Sequence, residues 1–217
     1  MAQQVVNRPI GTASPRVQRK RGRRVEAIVR AAADLFAERG YDAVSLEDVA
    51  DRLDVTKGSL YYYFSSKDEL GTAAIETLGN GWMAQLEELS STYDGSPAER
   101  LRALLHEHIT LAVRDYPEAL RLFLVPRDWP APQAAAIKAL RTRHDAIFRQ
   151  VIEEGVGSGE LSVISLDVTL QCMHAAMTQA PSWCSRLSER ARSRAVDDLA
   201  DTLMLLVGCA PDGRRSR

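Results

Sequence analysis

The densest concentration of hydrogen-bonding chemistry in the chain is residues 55–70, VTKGSLYYYFSSKDEL. Lys57, Ser59, Tyr61, Tyr62 and Lys67 are all hydrogen-bond donors in a stretch with helical character. Helix residues advance by about 100° each, so Leu60 and Phe64 share an apolar face, Tyr61 and Tyr63 flank it, and Tyr62 points away from it with Gly58 and Ser59 nearby. A small core helix with aromatic padding accounts for Leu60, Phe64 and Tyr63. It leaves an outward Tyr62 and a helical glycine that costs about 1 kcal/mol relative to alanine. A helix laid in the major groove of DNA uses both. Glycine admits close approach of the backbone, Lys and Ser reach base edges, and Tyr hydroxyls donate to phosphates.

Chemistry of other kinds is sparse. His106 and His108 are two apart and point to different helix faces, while His144 and His174 stand alone in the sequence, so no convergent metal-ligand set is expected. GVGSG, residues 155–159, is neither GxSxG nor GxGxxG, and no nucleophile stands beside a base. The expectation is a chain without enzymatic activity, cofactor or metal. Cys172, Cys184 and Cys209 are odd in number and scattered, which fits a reducing compartment. The terminal run LMLLVGCA is too short to cross a bilayer, and a cytoplasmic location with no membrane partner follows as the expectation.

The donor-rich stretch needs elements to hold it. Ile28, Ala32, Leu35 and Phe36 recur at helical spacing, and Gly40 ends that helix. Ser45 with Asp48 is a variant capping box that starts a second helix, whose apolar stripe is Leu46, Val49, Ala50 and Leu53. Asp54 fills the turn, where a left-handed backbone is expected. Thr56 caps a third, very short helix, and Ser66 with Glu69 restarts the chain near Lys67. Two helices joined by a short turn make a helix-turn-helix. The spacing predicts an all-α chain of about nine helices, with further starts at Ser96-Pro97 and Pro117 and a linker at RDWPAP, residues 127–132. A long helix is expected from Gln133 to Glu154, GVGSGELS as a turn, and helices over 165–180 and 189–208.

Residues 27–70, AIVRAAADLFAERGYDAVSLEDVADRLDVTKGSLYYYFSSKDEL, resemble the DNA-binding domain of the TetR family of bacterial transcriptional regulators. The resemblance covers three helices and the start of a fourth, with the LFAERGY join, the VADRLDV helix and the KGSLYYYFSSKDEL block in order. The sequence departs at Asp54, where the family usually has Gly. What the resemblance implies is a repressor that binds a double-stranded, palindromic operator as a homodimer. It implies Ser45 as a cap that also meets phosphate, and Thr56, Lys57, Gly58 and Ser59 as the leading edge of the recognition helix. Tyr61 and Tyr62 become the aromatic pair facing DNA, and Lys67 a phosphate contact at the head of the fourth helix. The domains expected are a basic flexible arm (1–22), a DNA-binding domain (23–70), a ligand-binding and dimerisation domain (71–210) and a basic tail (211–217).

Charge agrees with this division. Net charge is -1, yet residues 1–30 carry eight Lys/Arg against one acid. A basic head on an acidic body fits an anionic partner for the head. The arm is either a solvated tail or an Arg-rich segment for the minor groove. At the other end, Leu199, Leu203 and Leu206 form one stripe and Ala200, Met204 and Val207 a second. An arc that wide is buried on two sides, which places Leu203 in a homodimer seam made by the last two helices. Phe123, Trp129, Met173, Met177 and Trp183 are either ordinary core or the lining of a pocket for a small hydrophobic effector. YPEALRLFL, the long helix into EEGVGSGELS, and the late Trp loosely resemble regulators that sense acyl coenzyme A thioesters. The rival is a DNA-binding dimer with no small-molecule effector.

Overall fold

The computed structural model describes residues 15–115 and 129–208, and these form an all-α molecule. In chain order the α-helices are α1 (Pro15–Arg39), α2 (Leu46–Arg52), α3 (Lys57–Tyr61), α4 (Lys67–Thr92), α5 (Pro97–Thr110), α6 (Ala131–Ser158), α7 (Leu166–Cys184) and α8 (Glu189–Met204). A π-helical segment, Leu111–Asp115, follows α5, and a 3-10 turn, Leu205–Val207, follows α8. Among the described residues no helix is long and apolar enough to cross a membrane.

Polar side chains set most of the helix starts. Ser45, Thr56, Ser66, Ser96, Ser165 and Ser188 each accept a hydrogen bond from a first-turn backbone N–H of the helix they precede. Ser45/Asp48 and Ser96/Glu99 are full capping boxes. Such a cap is worth about 1 kcal/mol, because those donors have no partner within the helix. Gly40 ends α1 at φ 84°, and Asp54 adopts the expected left-handed turn at φ 51°.

Two apolar clusters form the interior. One joins Ile28, Leu35 and Phe36 of α1 to Val49, Leu60, Phe64, Leu70, Ile75 and Ile137. The other joins Trp82 and Leu86 of α4 to Leu104, Leu105, Phe148, Ile152, Met173, Met177, Ala200, Leu203 and Met204. Helices α4 and α6 contribute to both. The first half of each packs on the N-terminal cluster and the second half on the body cluster. Their contact is close, since a Cβ at Gly79 of α4 would lie 2.3 Å from Leu140 of α6.

Four boundaries differ from the sequence expectation. Helix α1 begins at Pro15, so residues 15–22 are helix rather than flexible arm; its Arg, Lys and Gln are good helix formers. Ala131 and Pro132, expected in a linker, form the first turn of α6, where Pro is tolerated. Helix α6 also continues through Ser158 because Gly155 lets Leu161 fold back upon it, and only Gly159, at φ 79°, provides the left-handed cap. Helix α7 runs through Pro181 to Cys184, and both residues are buried. Tertiary packing there overrides the usual interior-proline penalty of about 3 kcal/mol.

Candidate nucleic-acid interface

The short α3 carries the donor set on one side and its anchors on the other. Leu60 and Phe64 are buried against α1 and α2, and Tyr63 packs partly buried beside them. Tyr62 is 73% exposed and Tyr61 43%. The Tyr62 and Tyr63 rings meet edge to face at 5.1 Å, which fixes Tyr62 pointing outward. Around Gly58 a Cβ would meet nothing within 4 Å, so its small size serves no packing need inside the chain. Thr56 is tied down as the cap, its Oγ1 accepting from the Ser59 N–H at 3.2 Å.

Lys57 projects beyond the start of α3 and pairs with Glu47 of α2. Hydrogen bonding to Glu47 raises the ammonium pKa, and the carboxylate pKa falls for the same reason. The ammonium also lies 5.5 Å from the Tyr61 ring centroid. Lys57 is thus a fixed cation with its ring neighbour at the leading edge of the helix, held by an acid that competes with any polyanion. Asp48 likewise has a lowered pKa, chiefly from the Ser45 hydroxyl it accepts.

Lys67 is placed differently from its neighbours. Its ammonium donates to the carbonyls of Tyr41 at 3.1 Å and Asp42 at 3.3 Å, 4.7 Å from the Tyr41 ring centroid. It therefore ties the α1–α2 loop to the head of α4. One N–H of an ammonium that has three remains. Ser45, Glu47, Tyr61, Ser66 and Lys67 line one shallow groove beside α3. Of the eight residues expected to meet DNA, Ser45, Tyr61 and Lys67 line this groove, while Thr56, Lys57, Gly58, Ser59 and Tyr62 are exposed on and beside α3.

The expected effector-lining residues are not brought together. Met173 and Met177 are fully buried in the body cluster. Trp129 packs on the other cluster, edge to face with Tyr41 at 5.2 Å. Trp183 is 42% exposed, and Phe123 lies outside the described residues. Leu203, placed in the dimer seam by its spacing, is buried inside its own chain together with Ala200 and Met204. The outer apolar residues are instead Val168 and Trp183 on α7 and Leu205 and Leu206 after α8.

One association has no trace in the sequence. His108, His144 and His174, from three helices, come together in the body, with His144 Nε2 and His108 Nδ1 2.8 Å apart. Their separations of 36 and 30 residues follow no local period, so only the packed helices reveal the group. Among the described residues no set of three His, Cys, Asp or Glu is arranged to hold a metal ion.

A surface of this kind defines a helix-turn-helix protein, and comparison with known proteins agrees. A model of the bacterial regulatory proteins of the tetR family matches residues 28–74. A model of the tetracyclin repressor-like C-terminal domain matches residues 94–207. The chain belongs to the TetR family. The HTH-type transcriptional regulator RutR of Escherichia coli K12 is 34% identical over 135 residues, covering 60% of this chain and 62% of RutR, so the match spans less than two thirds of that relative. A TetR/AcrR-family transcriptional regulator from Thermobifida fusca superposes with a TM-score of 0.66 at 27% identity, covering 89% of this chain and 100% of that one. FadR of Bacillus subtilis, solved in complex with stearoyl-CoA, shares the fold at a TM-score of 0.68 and 18% identity, covering 84% and 98%.

Proposed function

We propose that the chain is a homodimeric transcriptional repressor that binds a palindromic operator and is released by a small hydrophobic effector. The observation that carries this reading is the two-sided α3. Leu60 and Phe64 anchor it, while Lys57, Gly58, Ser59, Tyr61 and Tyr62 face outward. Lys57 and Ser59 read base edges, Tyr61 and Tyr62 hold phosphates, and the bare Gly58 face sets the depth of entry. Ser45 and the free N–H of Lys67 meet the backbone beside the groove, at the head of α4 where the helix dipole favours an anion. Arg16, Arg19, Lys20 and Arg23 lie along one side of the projecting start of α1. A helix is about 10–12 Å across and the minor groove about 6 Å, so this segment follows the phosphates rather than entering that groove.

The exposed Val168, Trp183, Leu205 and Leu206 support a dimer through α7, α8 and the turn after it. The complex of the FadR relative with stearoyl-CoA keeps acyl compounds among the candidate effectors. The complete burial of Met173 and Met177 favours the second reading, a DNA-binding dimer with no effector.

The test is selection of bound sequences from a random duplex pool by the full-length protein, with light scattering of the protein alone. Two inverted half-sites about one helical turn apart are expected, bound by a dimer. Sequence-indifferent binding, or a monomer, would overturn the proposal.

A further inference from the structure

The body holds a group of polar rings that DNA binding leaves unused. Trp82 of α4, His108 of α5, His144 and Phe148 of α6, and His174 of α7 converge where four helices meet. Ring centroids lie 4.8 Å apart for Trp82 and His108, 4.7 Å for His108 and His144, 4.7 Å for His144 and His174, and 4.8 Å for His144 and Phe148. Trp82 and His108 are both more than nine-tenths buried. Three nitrogens, Trp82 Nε1, His108 Nε2 and His174 Nε2, are buried without a partner among the described residues. Folded proteins rarely keep such atoms unpaired, and phenylalanine or leucine would fill the same space without the cost.

The unpaired atoms restrict what would satisfy them. Indole N–H is a donor only, whereas a neutral imidazole offers one donor and one acceptor and takes up a proton to become a donor at both nitrogens. An ammonium would face the indole hydrogen and is excluded. A carboxylic acid fits both demands, because its carbonyl oxygen accepts from the Trp82 N–H while its O–H, kept protonated by burial, donates to an unprotonated imidazole nitrogen. The charged groups acting on the rings are few. Asp145 favours and Arg149 opposes the charged form of His174 from α6, while α4, α5 and α7 add the indole and the imidazoles themselves. Burial holds His108 well below its ordinary pKa and His144 at about 3. In the free protein these two rings are therefore neutral near pH 7, and the proton must arrive with the ligand.

We propose that this ring group is the effector site, and that it takes a small organic acid with an apolar body, its carboxyl group between Trp82, His108 and His174. The inference rests on the reading of the chain as an effector-released regulator and narrows it to the free acid rather than a thioester. The apolar body packs beside Phe148, whose ring lies 4.8 Å from that of His144.

The test uses full-length protein and matched probes: octanoic acid and octanol, phenylacetic acid and 2-phenylethanol, and octanoyl-CoA. Calorimetry at pH 6, 7 and 8 in buffers of different ionisation enthalpy gives affinity and proton uptake together. The acids are expected to bind at least tenfold more tightly than the alcohols and the thioester. One proton is taken up per acid, so affinity falls about tenfold per pH unit. Trp82→Phe, which removes only the N–H, and His174→Gln should each weaken the acids tenfold or more while still melting cooperatively. Equal binding of acid and alcohol, pH-independent binding, no binding of any probe, or full affinity in both variants would overturn the site. If the acids bind with proton uptake but leave operator DNA bound, the site stands and the effector-release reading fails. If they release DNA equally well from both variants, that reading stands and the site falls.

Discussion

The helix-turn-helix end wears its polar chemistry on the outside, and the body keeps its polar chemistry within. Tyr62 is 73% exposed and His108 is 4% exposed. On α3 the exposed polar side chains come from one short helix, so their mutual placement follows from 100° per residue. In the body Trp82, His108, His144 and His174 come from four helices, and nothing local relates them. A surface site built on one element needs only its own anchors, whereas an interior site exists only once the whole bundle has packed.

The largest expected effect tests whether these two ends are thermodynamically separate. Phe148→Ala should lower stability by about 3–5 kcal/mol. Because α4 and α6 run through both clusters, DNA-binding competence and the far-UV signal should be lost in one transition, and two resolved transitions would break the comparison in favour of independent domains. Leu203→Glu should likewise cost several kcal/mol by burying an unpaired charge. Leu205→Glu, at an exposed position, should instead leave the melt nearly unchanged and raise the dimer dissociation constant, as sedimentation would show.

Acid should damage the body first. The folded-state pKa of His144 lies near 3, below its unfolded value near 6.5, so the unfolded chain binds the proton more readily. Its contribution is fully present above pH 6.5 and falls by about 1.4 kcal/mol per pH unit as pH drops toward 3. A His144→Phe variant melted from pH 7 to pH 4 should show a shallower decline than the parent; equal slopes would deny the buried neutral state.

At the other end the effects should appear in binding and not in stability. Lys57→Ala and Tyr62→Ala are each expected to cost about 1–3 kcal/mol of operator affinity with no change in melting temperature. Binding isotherms on operator variants separate the two roles, since losing Tyr62 weakens all sequences alike and losing Lys57 relaxes specificity. Gly58→Ala should make the smallest change to the fold, a gain of at most about 1 kcal/mol from helix propensity. Operator binding should fall even so, because the added methyl meets nothing in the protein and can clash only with DNA.

What was legible in the sequence tracks this same division. Ser45, Thr56, Ser66 and Ser96 announce helix starts because a cap is a local event between residues three apart. Asp54 announces a left-handed turn for a similarly local reason. The start of α1 at Pro15 was obscured because its cluster of charges reads as solvated chain, although arginine and lysine favour helices. GVGS within α6 and Pro181 within α7 were misread because glycine and proline mark breaks only when tertiary packing does not overrule them. The outward turn of Trp183, the docking of Trp129 on Tyr41, the inward turn of Leu203 and the meeting of the histidines depend on how whole helices are rotated. No spacing within one helix records that.

Gln133 gives the fold a consequence of another sort. It is wholly buried at the head of α6, and its side-chain N–H donates to the Asp68 carbonyl at 2.8 Å and to the Tyr41 hydroxyl at 3.4 Å. The same tyrosine hydroxyl donates to the Asp68 carboxylate at 2.5 Å. The helix-turn-helix unit, taken as a transplantable part, therefore does not end near residue 70. A chimera that joins residues 15–70 to a foreign body would leave Tyr41 without the Gln133 amide and without the Trp129 ring. The portable unit is discontinuous in sequence, and any exchange of specificities between such proteins has to carry residues 129–140 with the head.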